Sequence, residues 1–384
     1  MSGRGGGPRP KGVNFSELVE RYGSEEKCRD YLTAIRWPNG VKCPRDGYGA
    51  TWIATRNVWE CNRRSCGYQF TVRVSSVLQD SKLPLWKWFV AVFLMIESKK
   101  GISANQVRRM AGVSYKTAWF LTHRIRQAMV EAQGFRRLSG TVEIDATYIG
   151  GKPRFPRKGK RGWDRSTKIP VLGAVERGGG IRLRVERTGE NMGTVRNLMN
   201  RVVDPATAHI YTDAASIYEG AKLTDSDTTH ESVNHKADEW VRGDVHTNTV
   251  ESVWSLFKRS IVGSYHHLST KHLDWYLDEF EWRFNNRHND YLFRDTIKAL
   301  IGSDVMTYKQ LIDVRRREIF KLAVNKRYGI KDIRDMVDAT DRVNGTPSNQ
   351  PCDTFPPCGR ERQTCAGVRS QIDHREVAGQ NLHV

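Results

Sequence analysis

The sequence predicts an α/β protein built in three parts: a small Cys-containing β module, a helix-turn-helix, and a mixed-sheet α/β core. Three observations predict it. Cys residues sit among strand formers before residue 75, and three short apolar-periodic segments with capping signals follow between 81 and 130. After Gly140 the hydrophobic period changes to two, then returns to helical spacing near residue 248. At roughly 100 to 200 residues per domain, 384 residues accommodate two or three such parts.

The β module runs from about Val41 to Val74, where TWIATRNVWEC and YQFTVRV alternate between turns. Ser81 and Pro84 open the apolar segment LPLWKWFVAVFLMIES, which closes at Lys99, Lys100 and Gly101. Ser103 with Gln106 makes a capping-box pattern for a short helix ending near Gly112, and Ser114 caps the next. In that last helix Ala118, Leu121, Ile125 and Met129 recur at helical spacing, while Tyr115, Lys116, Trp119, His123 and Arg126 face elsewhere. Three helices with a tight Gly-containing turn describe a helix-turn-helix.

In TVEIDATYI, Val142, Ile144, Ala146 and Tyr148 alternate with Thr141, Glu143, Asp145 and Thr147, so a strand with one polar face begins the core. IPVLGAVERGGGIRLRVER reads as two strands about a Gly178–Gly180 turn, NMGTVRNLMNRVV as a helix and AHIYTD as a strand. TVESVWSLFKRSIV places Val250, Val253, Trp254, Phe257 and Ile261 on one helical face, and KHLDWYLDEFEWRF does the same with Leu273, Leu277, Phe280 and Phe284. Expected domains are a basic arm (1–30), a β module (31–80), the helix-turn-helix (81–135), the mixed-sheet α/β core (140–300), a helical extension (301–340) and a disordered tail (341–384). That tail holds Cys352, Cys358 and Cys365 among four prolines.

Composition narrows the function. Lys and Arg number 62 against 43 Asp and Glu, a net charge of +19 that makes polyanions the first partners to consider. With 38% hydrophobic residues and 11 Trp the chain is not disordered throughout. The longest apolar run, Phe89 to Ile96, falls far short of the ~20 residues that span a bilayer, and the basic, Gly-rich start lacks a signal-peptide stretch. A cytoplasmic, reduced protein with no membrane contact is expected. The clustered and odd-numbered Cys agree, since disulfides would want an even framework.

Three constellations carry chemistry. Cys43, Cys61 and Cys66 offer three thiolates, and Asp46 stands where a fourth Cys would complete a C-x-x-C; a Cys3Asp set suits Zn²⁺, although the four residues between Cys61 and Cys66 are not the usual two. Cys28 is an alternative ligand, and a knuckle that has lost its metal is the bland reading. At the second site, Ser114, Tyr115 and Lys116 open the recognition helix, where base edges are read, and Arg108, Arg109, Arg124 and Arg126 can neutralise phosphates. The third is acidic. Asp145 lies on a strand's polar side, Asp213 closes another strand and Glu251 sits in the first turns of a helix, an arrangement two Mg²⁺ (or Mn²⁺) ions need: hard oxygen ligands on a rigid frame. Taken singly each acid reads as a surface charge, and Glu143 competes with Asp145 on the same face. Asn248, Glu251, Ser255 and Lys258 share one polar stripe, so a carboxylate for metal and an ammonium for phosphate address one substrate. Between the first core strands, residues 150–168 hold eight Lys or Arg and one Asp; Arg157, Lys158, Lys160 and Arg161 suit a phosphate backbone, and a solubilising loop is the alternative.

At EIDATYIGG, IYTDAASIY, HTNTVESVWSLFKR and KHLDWYLDEFEWRFNNR, together with the CPRD and LQDSKLPL segments, the chain resembles DDE transposases of bacterial insertion sequences, in the subgroup with a zinc ribbon ahead of the catalytic core. The resemblance spans roughly residues 30 to 295. It implies an RNase H-like core, Asp145, Asp213 and Glu251 as the catalytic triad, and Lys258 as the family's basic residue on the same helix. It further implies double-stranded DNA as partner, both element ends and target, cleavage and joining through a 3′-OH, and a homodimer or larger assembly on nucleoid DNA. Two rivals stay open: a DNA-binding regulator with an inactive core, and a nuclease without strand transfer.

Overall fold

The structure, a computed structural model, describes residues 12–134, 136–150, 168–205, 209–213, 216–219, 229–233, 241–266 and 268–312. The basic loop residues Arg157, Lys158, Lys160 and Arg161 and the expected tail lie outside them, as does most of the expected helical extension.

Residues 1–11 of the expected basic arm lie outside the described residues, and two helices follow. Asn14 and Glu17 form a reciprocal capping box for α1 (Phe15–Tyr22), and Ser24 caps α2 (Glu25–Arg36), so a domain boundary at residue 30 would cut α2. From Phe15 to residue 30 packing replaces the expected arm: Leu18, Tyr22, Cys28 and the following Leu32 are buried in a large helical core. The β module follows as an antiparallel sheet of β1 (Ala50–Ile53), β2 (Val58–Cys61) and β3 (Gln69–Phe70).

The helix-turn-helix is α3 (Leu85–Glu97), α4 (Ala104–Ala111) and α5 (Tyr115–Ala132). Ser103 Oγ accepts from Gln106 N at 3.1 Å and Ser114 Oγ from Thr117 N at 3.1 Å. Between them Gly112 adopts φ +59°, the left-handed geometry that ends α4 within one residue. Ala118, Leu121, Ile125 and Met129 are buried as their spacing requires.

The core is a five-stranded mixed sheet in the order β6-β5-β4-β7-β8, from β4 (Thr141–Ile149), β5 (Ile169–Glu176), β6 (Ile181–Val185), β7 (His209–Asp213) and β8 (His230–Val233). The first three strands are antiparallel neighbours and β7 and β8 run parallel to β4. By strand number within the sheet this is 3-2-1-4-5, the RNase H-like topology. Val142 and Ile144 pack under α6 (Met192–Val202) together with Tyr218 of the short α7 (Ser216–Glu219), and Val171, Val175 and Ile181 pack under α8 (Asn248–Ser260) and α9 (Leu273–Asn285). Both faces of β4 are therefore covered, and its polar side meets a helix instead of solvent. The short β8, HESV, carries too little alternation to be read from sequence.

The expected core boundary at residue 300 also moves. Phe293, Ile297, Leu300 and Ile301 of α10 (Leu292–Gly302) and Leu311 of α11 (Tyr308–Ile312) belong to the core built by α1 to α5, not to the one under the sheet. Among the described residues no helix is long and apolar enough to cross a membrane.

Candidate active site and metal centre

The paired register of β4 and β7 ends at Glu143 opposite Tyr211, and the charge of Asp213, two residues on at the end of β7, acts on Asp145. Glu251, in the first turn of α8, and Lys258, two turns on, line one cavity of about 540 Å³ with Asp145, Trp254, Ser255 and Arg259. Asn248, on the same stripe, does not line it. Asp213 enters through its charge. Burial above all pushes the Asp145 carboxyl up to about 6, the Ala146 N–H opposes this, the Asp213 charge adds to it, the Trp254 N–H opposes it, and the Glu251 charge adds to it. Asp145 thus stands beside two further acids in a poorly solvated place, a donor set that fits divalent cations. The three carboxylates are not drawn into a cluster as tight as the thiol site described below.

Glu143, the competitor, has a different task. Its fully buried carboxylate accepts from Thr249 N (2.8 Å), Thr249 Oγ1 (2.7 Å), Val250 N (3.0 Å) and Arg177 Nε (2.6 Å). The N-cap residue of α8, Thr247, supplies no side-chain cap, so Glu143 caps this helix from another element, and its negative charge suits the helix N-terminus. Strand β4 therefore both contributes Asp145 and anchors the helix that carries Glu251. Sequence reasoning missed this because Glu143 and Thr249 are 106 residues apart.

Trp254, which periodicity assigns to the core stripe, also turns out to serve the site. Its Nε1–H donates to Asp145 Oδ2 at 3.0 Å.

In the β module the ligand atoms of Cys43, Asp46, Cys61 and Cys66 all lie within 4.8 Å of one another, with the Cys43 and Cys66 sulfurs 3.9 Å apart. Two sulfurs on one tetrahedral Zn²⁺ at ~2.3 Å stand roughly 3.8 Å apart, so the set fits that ion. The long Cys61–Cys66 spacing is absorbed by a turn in which Cys66 N and Gly67 N both bond to Arg63 O. The Tyr48 N–H, above all, holds the Asp46 carboxyl below its ordinary value. Cys28 is no substitute: it is buried in the helical core, donating to Tyr22 O at 3.1 Å.

At the helix-turn-helix, Tyr115 is exposed and Lys116 lies beside it with its ammonium 4.9 Å from the Tyr308 ring. Ser114 shares its hydroxyl with Thr117. Arg108 and Arg109 are exposed on α4. Arg126 corrects the sequence reading: it is 1% exposed and bonded to the fully buried Glu279 of α9 at 2.7 Å. Arg124 is likewise buried, donating to Gln79 O. Both guanidiniums tie the helical body together and are not available to phosphate.

An RNase H-like sheet with acids on its first and fourth strands and on the helix after its fifth defines a DDE-type nuclease or transposase core. Comparison with known proteins is specific. Residues 137–285 match the ISXO2-like transposase domain and residues 23–69 the transposase zinc-ribbon domain. The uncharacterized protein in transposable element ISH50 of Halobacterium salinarum is 30% identical over 283 residues, covering 69% of this chain and 92% of that protein. The chain belongs to the ISXO2-like transposase family. The solved Mos1 strand transfer complex aligns over 57% of this chain and 78% of that one at 11% identity and a TM-score of 0.24.

Proposed function

We propose that this transposase binds the terminal inverted repeats of its element, cleaves them by metal-assisted phosphodiester hydrolysis and joins the freed 3′-OH ends to target DNA as a dimer or larger assembly. The observation that carries the reading is the convergence of Asp145, Glu251 and Lys258 on one cavity, with the charge of Asp213 acting on Asp145. Asp145, Asp213 and Glu251 would hold the divalent ions. Mg²⁺ or Mn²⁺ held there would supply Lewis acidity for in-line displacement at phosphorus. Lys258 neutralises the phosphate next to the scissile bond, from the same helix that carries Glu251. Ser114, Tyr115 and Lys116 read the end in the major groove, Arg108 and Arg109 contact its backbone, and the Cys43, Asp46, Cys61 and Cys66 site holds one structural Zn²⁺.

The test is incubation with labelled element ends and Mg²⁺. Joined products are expected from the parent and none from Asp145→Ala or Asp213→Ala, both of which should keep binding ends, because affinity comes from Lys and Arg. Cleaved but never joined ends would reduce the protein to a nuclease. Cutting by either variant at the parental rate would overturn the site.

A further inference from the structure

Resting on the reading of the cavity as a divalent-cation site, we propose that Trp254 is a positioning residue whose indole N–H orients the Asp145 carboxylate for the cation, with Gly173 making the room it needs.

Trp254 lies three residues after Glu251 on α8 and is 4% exposed, so its ring is packed and its single polar atom is aimed inward. An indole is a donor only, and here the acceptor is Asp145 Oδ2 at 3.0 Å. Burial by itself does not force such a bond in this protein: the indole N–H groups of Trp59 and Trp88 are buried without a hydrogen-bond partner. Across the β4–β5 pair, the residue opposite Asp145 is Gly173. A Cβ on Gly173 would come within 2.5 Å of Trp254 Cζ2 and 2.6 Å of Cη2, so any other residue opposite the acid displaces the ring. The sheet leaves out one side chain beside the carboxylate, and the ring that occupies the space bonds to it. Groups that orient a metal-binding side chain from behind typically contribute 10- to 100-fold to metal affinity. Asp145 is thereby fixed from α8, the helix that also supplies Glu251 and Lys258, so one element sets the relative placement of both acids.

The experiment uses the full zinc-loaded chain with Trp254 replaced by benzothienylalanine, an indole isostere with sulfur in place of the N–H, and with Trp254→Phe as a second variant. Mn²⁺ binding is measured by calorimetry, with Asp145→Ala as the blank, alongside end binding in EDTA and end cleavage across a metal titration. Expected are Mn²⁺ affinity roughly ten- to a hundredfold weaker in the isostere and a matching rise in half-saturating metal. Maximal cleavage should recover at high metal, and end binding should be unchanged. A lost core contact alone would lower stability without moving the metal midpoint. An isostere that binds Mn²⁺ as tightly as the parent overturns the proposal. A parent that binds Mn²⁺ at this site yet cleaves no end overturns the proposed function instead, and the calorimetric comparison still decides the role of Trp254. A parent without Asp145-dependent Mn²⁺ binding sinks both.

Discussion

Removing the Glu143 carboxylate should loosen α8, the helix that carries Glu251, at its root. The side chain is 0% exposed and its partner Arg177 24%, so Glu143→Ala leaves the N–H groups of Thr249 and Val250 without their acceptor and the Arg177 guanidinium with the Asp244 and His246 carbonyls. Breaking a buried charge pair costs about 3 to 5 kcal/mol. The separate values of each charged hydrogen bond, ~1.5 to 3 kcal/mol, describe the same loss and are not added to it. Glu143→Gln keeps the shape but sets an NH2 against donors, and should cost about half as much. At roughly 1.4 kcal/mol per tenfold, amide exchange at Thr249 and Val250 should speed up by about 10²- to 10³-fold in the Ala variant. The loss is local to the start of α8, so Val142 and Ile144 on the other face of β4 should keep their protection. Cleavage should fall with the loss of a fixed Glu251, while end binding in EDTA stays at the parental level. Parental exchange at Thr249 and Val250 together with parental cleavage in Glu143→Ala would refute the reasoning.

Other outcomes follow from the same geometry. Metal analysis should find one Zn²⁺ per chain in the parent and none in Cys61→Ser, with Asp46→Ala weakened; a metal-free parent that is folded and binds ends refutes the zinc assignment. Glu251→Gln should be inactive in Mg²⁺ and Asn248→Ala active, and Lys258→Ala should flatten the salt dependence of cleaved-end binding by about one unit of slope, read by titration at several salt concentrations. Burial, with the Glu25 charge adding, pushes the Cys28 thiol from 9.0 up to about 12. The unfolded chain releases this proton first, so Cys28 contributes stability below pH 9 that is lost as pH rises towards 12; urea midpoints at pH 8 and 10 should diverge less in Cys28→Ala than in the parent.

Local signals were strong enough to read most elements. Capping by Ser103 and Ser114, the turn at Gly112 and the period-two run of β4 depend on neighbours a few residues away, and each stands where its sequence places it. Asp145 stood out because Asp is depleted in strands, and Glu251 and Lys258 because polar stripes recur at fixed helical angles. Periodicity misled where it equated polar with exposed. Arg126 and Glu143 both sit off the apolar stripe, and both are buried because each has a charged partner, 153 and 34 residues away in the chain, that offsets the desolvation.

What the sequence by itself determined was the kind of element at each stretch and the residue types able to hold metal or meet phosphate. Tertiary structure alone decided which charges meet. It brought the charge of Asp213 to bear on Asp145, closed the Cys43, Asp46, Cys61 and Cys66 set despite its irregular spacing, made Glu143 a cap for a helix it never neighbours in sequence, and brought Trp254 to Asp145 over a glycine. The physical reason is that capping and periodicity act over one or two turns of chain, whereas hydrogen bonds and Coulomb forces act over a few ångströms of space, and only folding converts one kind of distance into the other.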